Sequence, residues 1–352
     1  MTITSQQQKH LDTFSAAKLL NTSTQPESIF TDNEDAIQSE YRYLIKRWHP
    51  DAPSGSADVT RQLKVLRDAA LGKIAKGIWQ VPGELLLHPT SGKAKLIKFR
   101  KKVPFELGDM YISQTLVTYV VDPVHKKLFD SAIARMKSFS YPNDKIKDNC
   151  ERYLPKIKAS FESKEGLVLV LEKASDLIRV ADWVAHEGGK VDAKHAAWVL
   201  SSLYDLANYF RWANICHNDI SPDNYFIAPA EHSGALLGGW WYAAENETTI
   251  KALPDRTYDN APPDVLNSGK ADPRVDLSMI RRAGREMLGD PAGLSIHKDK
   301  TIPEAISNWL RMPASGDARE EYKIWMDQVL TSGFGARRFV ELKVKFSDVY
   351  PR

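Results

Sequence analysis

The stretch 216–227, Cys-His-Asn-Asp-Ile-Ser-Pro-Asp-Asn-Tyr-Phe-Ile, constrains the fold more than any other part of the chain. Between His217 and Asn224 it gathers a histidine, two aspartates, two asparagines, a serine and a proline. Proline and side chains that hydrogen-bond their own backbone do not continue a helix. Both flanks are apolar. Before the stretch, Ala197, Leu200, Leu203, Leu206, Ala207 and Phe210 recur at helical spacing, a pattern that ends near Trp212. After it, Tyr225-Phe-Ile227 reads as a strand. The pattern is a polar loop between a long amphipathic helix and a strand. It is either a plain turn or a site that directs several polar groups into one place.

Composition limits what surrounds that loop. At roughly 100–200 residues per domain, a chain of 352 residues suggests two or three units. Hydrophobic residues make up 43% and charged residues 26%, enough to bury a core. The net charge of +3 is too mild for the concentrated basic face of a nucleic-acid binder. Two cysteines, Cys150 and Cys216, point to neither a disulfide framework nor a cysteine-based zinc site, and fit a reducing cytoplasm. The polar N-terminus carries no apolar signal region, and no run reaches the roughly 18 apolar residues of a membrane span, so no membrane partner is expected. No repeat of 20–50 residues is visible.

Along the chain, residues 1–25 are polar, with a short apolar patch around Ala16 to Leu20. Residues 33–48 carry Ala36, Ile37, Tyr41, Leu44, Ile45 and Trp48 at helical steps, with Asp32 or Asn33 as cap. The helix stops at His49-Pro50, because the residue before a proline avoids the helical region. After a flexible 52–57 stretch, a second helix is expected over 58–78, with Val59, Leu63, Leu66, Ala70, Ile74 and Ile78 as its stripe. From Val81 to Val121 short apolar runs broken by Pro and Gly predict strands, and 166–171 is one more. Beyond Asp192 the chain reads as mainly helical.

Two helices joined by His49-Pro50-Asp51 resemble a J-domain, the co-chaperone module that stimulates DnaK-type chaperones. The match runs from about Ile29 to Ile78. It implies that His49, Pro50 and Asp51, with the basic face of Arg42, Lys46 and Arg47, dock on an acidic surface of the chaperone. The loop after Asp51 is short and lacks the usual lysine, and the helix before the basic one is poorly defined. Such a module can also pack on the rest of the chain instead of binding a chaperone.

The 217–224 loop resembles the His-x-Asp-x-x-x-x-Asn catalytic loop of protein kinases. The resemblance implies Asp219 beside the attacking hydroxyl, Asn224 as a metal ligand, and His217 holding the loop. Ser221 stands where most eukaryotic protein kinases carry lysine, though aminoglycoside-kinase-like relatives also differ there. Downstream, residues 261–266 resemble the Ala-Pro-Glu end of an activation segment, and 272–288 the family's central buried helix. Asp276 is the best match to the aspartate that caps the loop backbone. In the small lobe, Gly108 is a possible remnant of the glycine-rich loop. Lys137, or Arg135, is a candidate for the strand lysine, Glu151 for its helix partner, and Glu172 with Lys173 for the hinge between lobes. The family implies ATP and Mg as cofactors.

The kinase pattern departs where its second metal-binding aspartate belongs. There the chain reads Leu236-Leu-Gly-Gly-Trp-Trp-Tyr242, so Gly238 or Gly239 replaces a carboxylate that neutralises phosphate and metal charge. Glu245 and Glu247 lie close by in sequence. Trp240 and Trp241 are either core or a plug of the nucleotide cleft. The expected fold is α+β: a polar segment (1–25), a helical J-like module (26–79), then a bilobal kinase-like domain with a β-rich small lobe (80–173) and a mainly helical large lobe (174–352). The expected function is a pseudokinase or very weak kinase acting as regulator or adaptor. The alternatives are an active protein kinase using Asp219 and Asn224, and a co-chaperone whose kinase-like part binds protein clients.

Overall fold

Helix Glu34–Trp48 forms where the sequence alternates apolar and charged residues at a 3.6 period. Asn33 caps it by accepting from the Ala36 N–H. Its buried stripe of Ile37, Leu44 and Trp48 meets Val59, Leu63, Leu66 and Ala70 of helix Ala57–Lys76. Two short N-terminal helices, Ser5–Asp12 and Ala16–Leu20, add Leu11, Phe14 and Leu19 to this core. Residues 1–25, polar in average composition, therefore contribute three large apolar side chains to a folded unit.

The computed structural model describes residues 3–21, 24–76, 79, 83–336 and 340–351; Ile78 and Val81 lie outside them. The chain is a mixed α and β protein of two units, one of residues 1–113 with 161–168, the other of 114–160 with 169–352. The stretch 80–173 is thus shared between them. The first unit also holds two antiparallel hairpins, Glu84–Leu87 with Lys95–Lys98 and Lys101–Phe105 with Gly108–Ile112.

In the second unit, strand Leu116–Val121 is buried along nearly its whole length and leads through a turn to helix Lys126–Lys137. The centre is helix Ala193–Ala213, whose apolar side packs on helix Pro273–Met287. Strands Ile178–Arg179, Tyr225–Ala228 and Ser233–Leu236 form an antiparallel sheet with Tyr225–Ala228 in the middle. A second small ladder joins Ile215–Cys216 to Ala244–Glu245. The 217–224 loop is thereby suspended between two sheets and two buried helices. None of the described helices is long and apolar enough to cross a membrane.

Candidate active site

The loop is fixed first through its backbone. The His217 and Asn218 N–H groups donate to the two oxygens of Asp276 at 2.8 and 2.7 Å. Asp276 sits in the first turn of helix Pro273–Met287, which Asp272 caps and Pro273 starts. Asn218 adopts a left-handed φ of 65° that sharpens the turn. Its carbonyl accepts from Thr257 Oγ1 at 2.8 Å, and its carboxamide donates to the Tyr242 carbonyl at 2.9 Å. A helix start and the segment after the tryptophans therefore hold the same turn.

His217 is fully buried. Its Nδ1 accepts from the Asp219 N–H at 3.2 Å and its Nε2 donates to the Gly238 carbonyl at 3.1 Å. These partners suit a neutral ring with its proton on Nε2. The ring lies parallel to Phe210, with centroids 6.0 Å apart, and Trp240 stands edge-on to it at 4.7 Å. Burial among these rings pushes the imidazole down to about 3.

Asp219 and Asn224 face each other. The Asn224 Nδ2 donates to the Asp219 carbonyl at 2.9 Å and to its carboxylate Oδ2 at 2.7 Å. The Leu237 and Gly238 N–H groups donate to the Asn224 carbonyl, which presses segment 237–239 against the loop. A Cβ at residue 238 would overlap the Asn224 carboxamide oxygen and come within 2.9 Å of the Tyr119 hydroxyl. Gly239, at φ +78°, would place a Cβ 2.6 Å from His217 Cε1 and 3.0 Å from the Asp219 carbonyl. Tyr119, from strand Leu116–Val121, is buried and donates to the Leu237 carbonyl at 3.3 Å. Burial pushes its phenol well above the usual tyrosine range.

Alternating charges extend outward from Asp219. Arg256 Nε lies 3.6 Å from Asp219 Oδ1, and Arg256 Nη1 pairs with Asp223. Arg179 bridges Asp223 at 3.0 Å and Asp182 at 2.6 Å. The Tyr350 hydroxyl donates to Asp182 at 2.6 Å and accepts from the Arg179 N–H. Asp219 is only 3% exposed, so both its oxygens face protein rather than an open cleft.

The remaining candidate residues lie elsewhere. Lys137 ends its helix exposed to solvent, Glu151 is exposed in a 3-10 turn, and the two make no ion pair. Arg135 pairs with Glu245 at 3.3 Å, and Glu247 is exposed. Glu172, at the exposed end of its strand, lies 3.7 Å from Lys156. Lys173 is buried. It donates to the Ala174 and Leu177 carbonyls and sits 4.5 Å over the Phe346 ring, and burial pushes it down to about 7. Gly108 belongs to the other unit, at the turn of a hairpin. Trp240 and Trp241 are core: Trp240 packs on His217, Phe139 and Phe210, and Trp241 on Tyr119 and Phe129. Tyr119, Arg179 and Arg256 were not singled out in the sequence. Only strand register could have marked Tyr119, and Arg179 and Arg256 sit in a two-residue strand and a single-turn helix too short to carry a pattern.

In the first unit, His49, Pro50 and Asp51 cap helix Glu34–Trp48 in an exposed turn. The His49 N–H closes the helix on Ile45, and its Nδ1 accepts from the Asp51 N–H at 3.3 Å. Arg42 and Lys46 are exposed, whereas Arg47 pairs with Asp12 at 3.3 Å and leans on Trp48.

The donor set does not fit a kinase metal site. A magnesium ion needs several oxygens directed at it with octahedral geometry. Here the Asn224 carboxamide is folded onto Asp219 and Gly238, and the neighbouring position has no side chain. Among the described residues no three His, Cys, Asp or Glu side chains are grouped to hold a metal. No family model matches the chain. It is similar to a probable serine/threonine-protein kinase of Dictyostelium discoideum, 26% identical over 148 residues, 42% of this chain and 16% of that one. It is also similar to calcium-dependent protein kinase 3 of Plasmodium yoelii yoelii and of Plasmodium berghei (strain Anka). Each is 25% identical over 99 residues, 28% of this chain and 16% of the relative. The chain therefore covers about a sixth of the relatives it matches, and the likeness reaches as far as a weak, partial kinase similarity.

Proposed function

We propose that the protein is a kinase-like regulator or adaptor whose phosphotransfer site is degenerate. One observation carries this reading: the Asn224 carboxamide is hydrogen-bonded to the Asp219 carboxylate and packed on Gly238. Phosphoryl transfer depends on a carboxylate free to take the substrate hydroxyl and on oxygens that neutralise phosphate charge. Asp219 instead spends its oxygens on Asn224 and Arg256. Incubating the full chain with magnesium and ATP labelled on the γ-phosphate, with generic protein acceptors, should give no transfer above background. Magnesium-dependent transfer that disappears in Asp219→Ala would overturn the reading in favour of an active kinase.

A second role is supported by the exposed His49-Pro50-Asp51 turn and the exposed Arg42 and Lys46 on the preceding helix. We propose that this module engages a DnaK-type chaperone and that the kinase-like part presents or recognises a protein client. The full chain should then stimulate the ATPase of such a chaperone, and His49→Gln should abolish the stimulation. Equal stimulation by both proteins, or none by either, removes this role without touching the first.

A further inference from the structure

We propose that the second unit carries a receptor for a phosphate monoester, separate from the 217–224 loop. It is a cavity of about 500 Å³ whose walls include Asn260, Arg274, Arg281, Arg285 and Arg311, with Asp264 as the one carboxylate among the described residues that line it. Four arginines around one cavity need an electrostatic account. Two are neutralised within the protein. Arg274 forms ion pairs with Asp264 at 2.7 Å and Asp272 at 2.8 Å. Arg281 pairs with the fully buried Glu321 at 2.9 Å and lies 4.0 Å over the Trp309 ring.

Arg285 and Arg311 differ from these. Neither meets a carboxylate within ion-pair distance among the described residues. Arg285 is partly buried, and its guanidinium is held by neutral acceptors: the Pro291 carbonyl at 3.0 Å, the Leu310 carbonyl at 2.7 Å and Asn260 Oδ1 at 3.4 Å. Carbonyls fix its orientation but leave its charge in place. They use three of its five N–H groups, so two donors remain. Arg311 is exposed at the end of helix Glu304–Arg311.

The two side chains run past the same glycine. A Cβ at Gly293 would stand 2.7 Å from Arg285 Cδ and 3.7 Å from Arg311 Cγ. Gly293, at φ +71°, so leaves room for both arginine stems. A rigid guanidinium fork with spare donors beside a second, exposed guanidinium suits a dianionic group with three acceptor oxygens. A phosphate monoester carries about −1.5 to −2 charges at neutral pH, which suits two cations that have no ion-pair partner among the described residues. A single carboxylate would neutralise only one of them. The prolines give the cavity stiff walls that do not compete for the anion.

The test is isothermal titration of the full chain with O-phosphoserine, inorganic phosphate and serine. Saturable binding of O-phosphoserine without binding of serine is the expected result. Tighter binding of O-phosphoserine than of inorganic phosphate identifies a phosphorylated side chain as the source, and equal binding identifies free phosphate. Arg311→Gln alters an exposed residue, so the fold is retained, and Arg285→Lys keeps the charge while removing the fork. Each should weaken binding about tenfold, the size of one lost charge-assisted contact. Arg319→Gln is the control, because Arg319 is exposed and does not line the cavity. No saturable binding of either phosphate probe overturns the proposal. So does undiminished binding by both Arg311→Gln and Arg285→Lys.

Discussion

The buried ring of His217 should make the second unit acid-sensitive in a way that one substitution removes. In the folded protein the imidazole is neutral and held near 3 by burial, with both nitrogens engaged. In the unfolded chain it titrates near 6.5. The unfolded state therefore binds a proton that the folded state refuses. The stabilisation from this group is complete above pH 6.5 and is lost as pH falls from 6.5 toward 3. Between pH 7.5 and pH 4.5 the difference is about 2 pH units at 1.36 kcal/mol each, or about 2.7 kcal/mol. His217→Gln destabilises at every pH by losing the ring packing on Phe210 and Trp240, but it has no proton to take up. The diagnostic is the slope rather than the offset. Urea unfolding followed by tryptophan fluorescence at half-unit pH steps should show wild type losing about 2–3 kcal/mol more than the variant over that range. Other titrating groups are common to both proteins and cancel. Parallel curves, or an imidazole that titrates near its ordinary value in the native protein by NMR, would refute the assignment.

Other substitutions probe the rest of the structure. Gly238→Asp must displace the Asn224 carboxamide and the Tyr119 hydroxyl, so it should cost about 1–3 kcal/mol and restore no magnesium-dependent transfer, read by denaturation and by the labelled-ATP assay. Arg281→Met strands the buried Glu321 and should cost about 3–5 kcal/mol, while Arg281→Met combined with Glu321→Leu should recover much of that loss in the same unfolding measurement. Trp240→Ala removes a ring that packs on His217, Phe139 and Phe210 and should lower stability by about 3–5 kcal/mol; a change below 1 kcal/mol would mean that the aromatic cluster collapses around the gap.

The parts legible in the sequence were those fixed by local spacing. The His217–Asn224 loop, the helix before it and the strand after it are set by residues within a few turns of one another, and periodicity exposes them. Asp276 came from the resemblance of 272–288 to the kinase family's central buried helix, in whose first turn it lies. What the sequence hid comes from long-range placement. Tyr119 and Leu237 are 118 residues apart, and nothing in either segment signals that one hydroxyl reaches the other's carbonyl. Arg256 lies in the short helix Asp255–Tyr258, where one cation among many has no distinguishing context. Leu11, Phe14 and Leu19 are scattered among polar residues, so average composition masked a segment that sends three large apolar side chains into the core while Leu20 stays exposed. Lys137 and Glu151 carry the residue types that a lysine–glutamate pair would use. Being exposed at the ends of short elements, however, they face water rather than each other.

On the reading proposed above, the glycine at 238 is one of several interlocked departures from a kinase site. Removing a side chain there lets Asn224 swing onto Asp219, and the same space admits the Tyr119 hydroxyl from the neighbouring strand. Gly239 then turns left-handed so that the His217 ring can reach the Gly238 carbonyl. Trp240 follows at once and closes the far side of that ring. Each feature occupies volume that an aspartate, a lysine or a metal would otherwise need. Reintroducing any one of them alone meets the others. A protein that had merely lost a ligand would retain a cleft with a gap in its donor set. Here the gap has been packed and hydrogen-bonded, and Asp219 is paired to Arg256 as well. The loop's geometry and the pairing of its polar side chains are then parts of one arrangement. His217, Asp219 and Asn224 keep the turn rigid by bonding to one another and to Gly238.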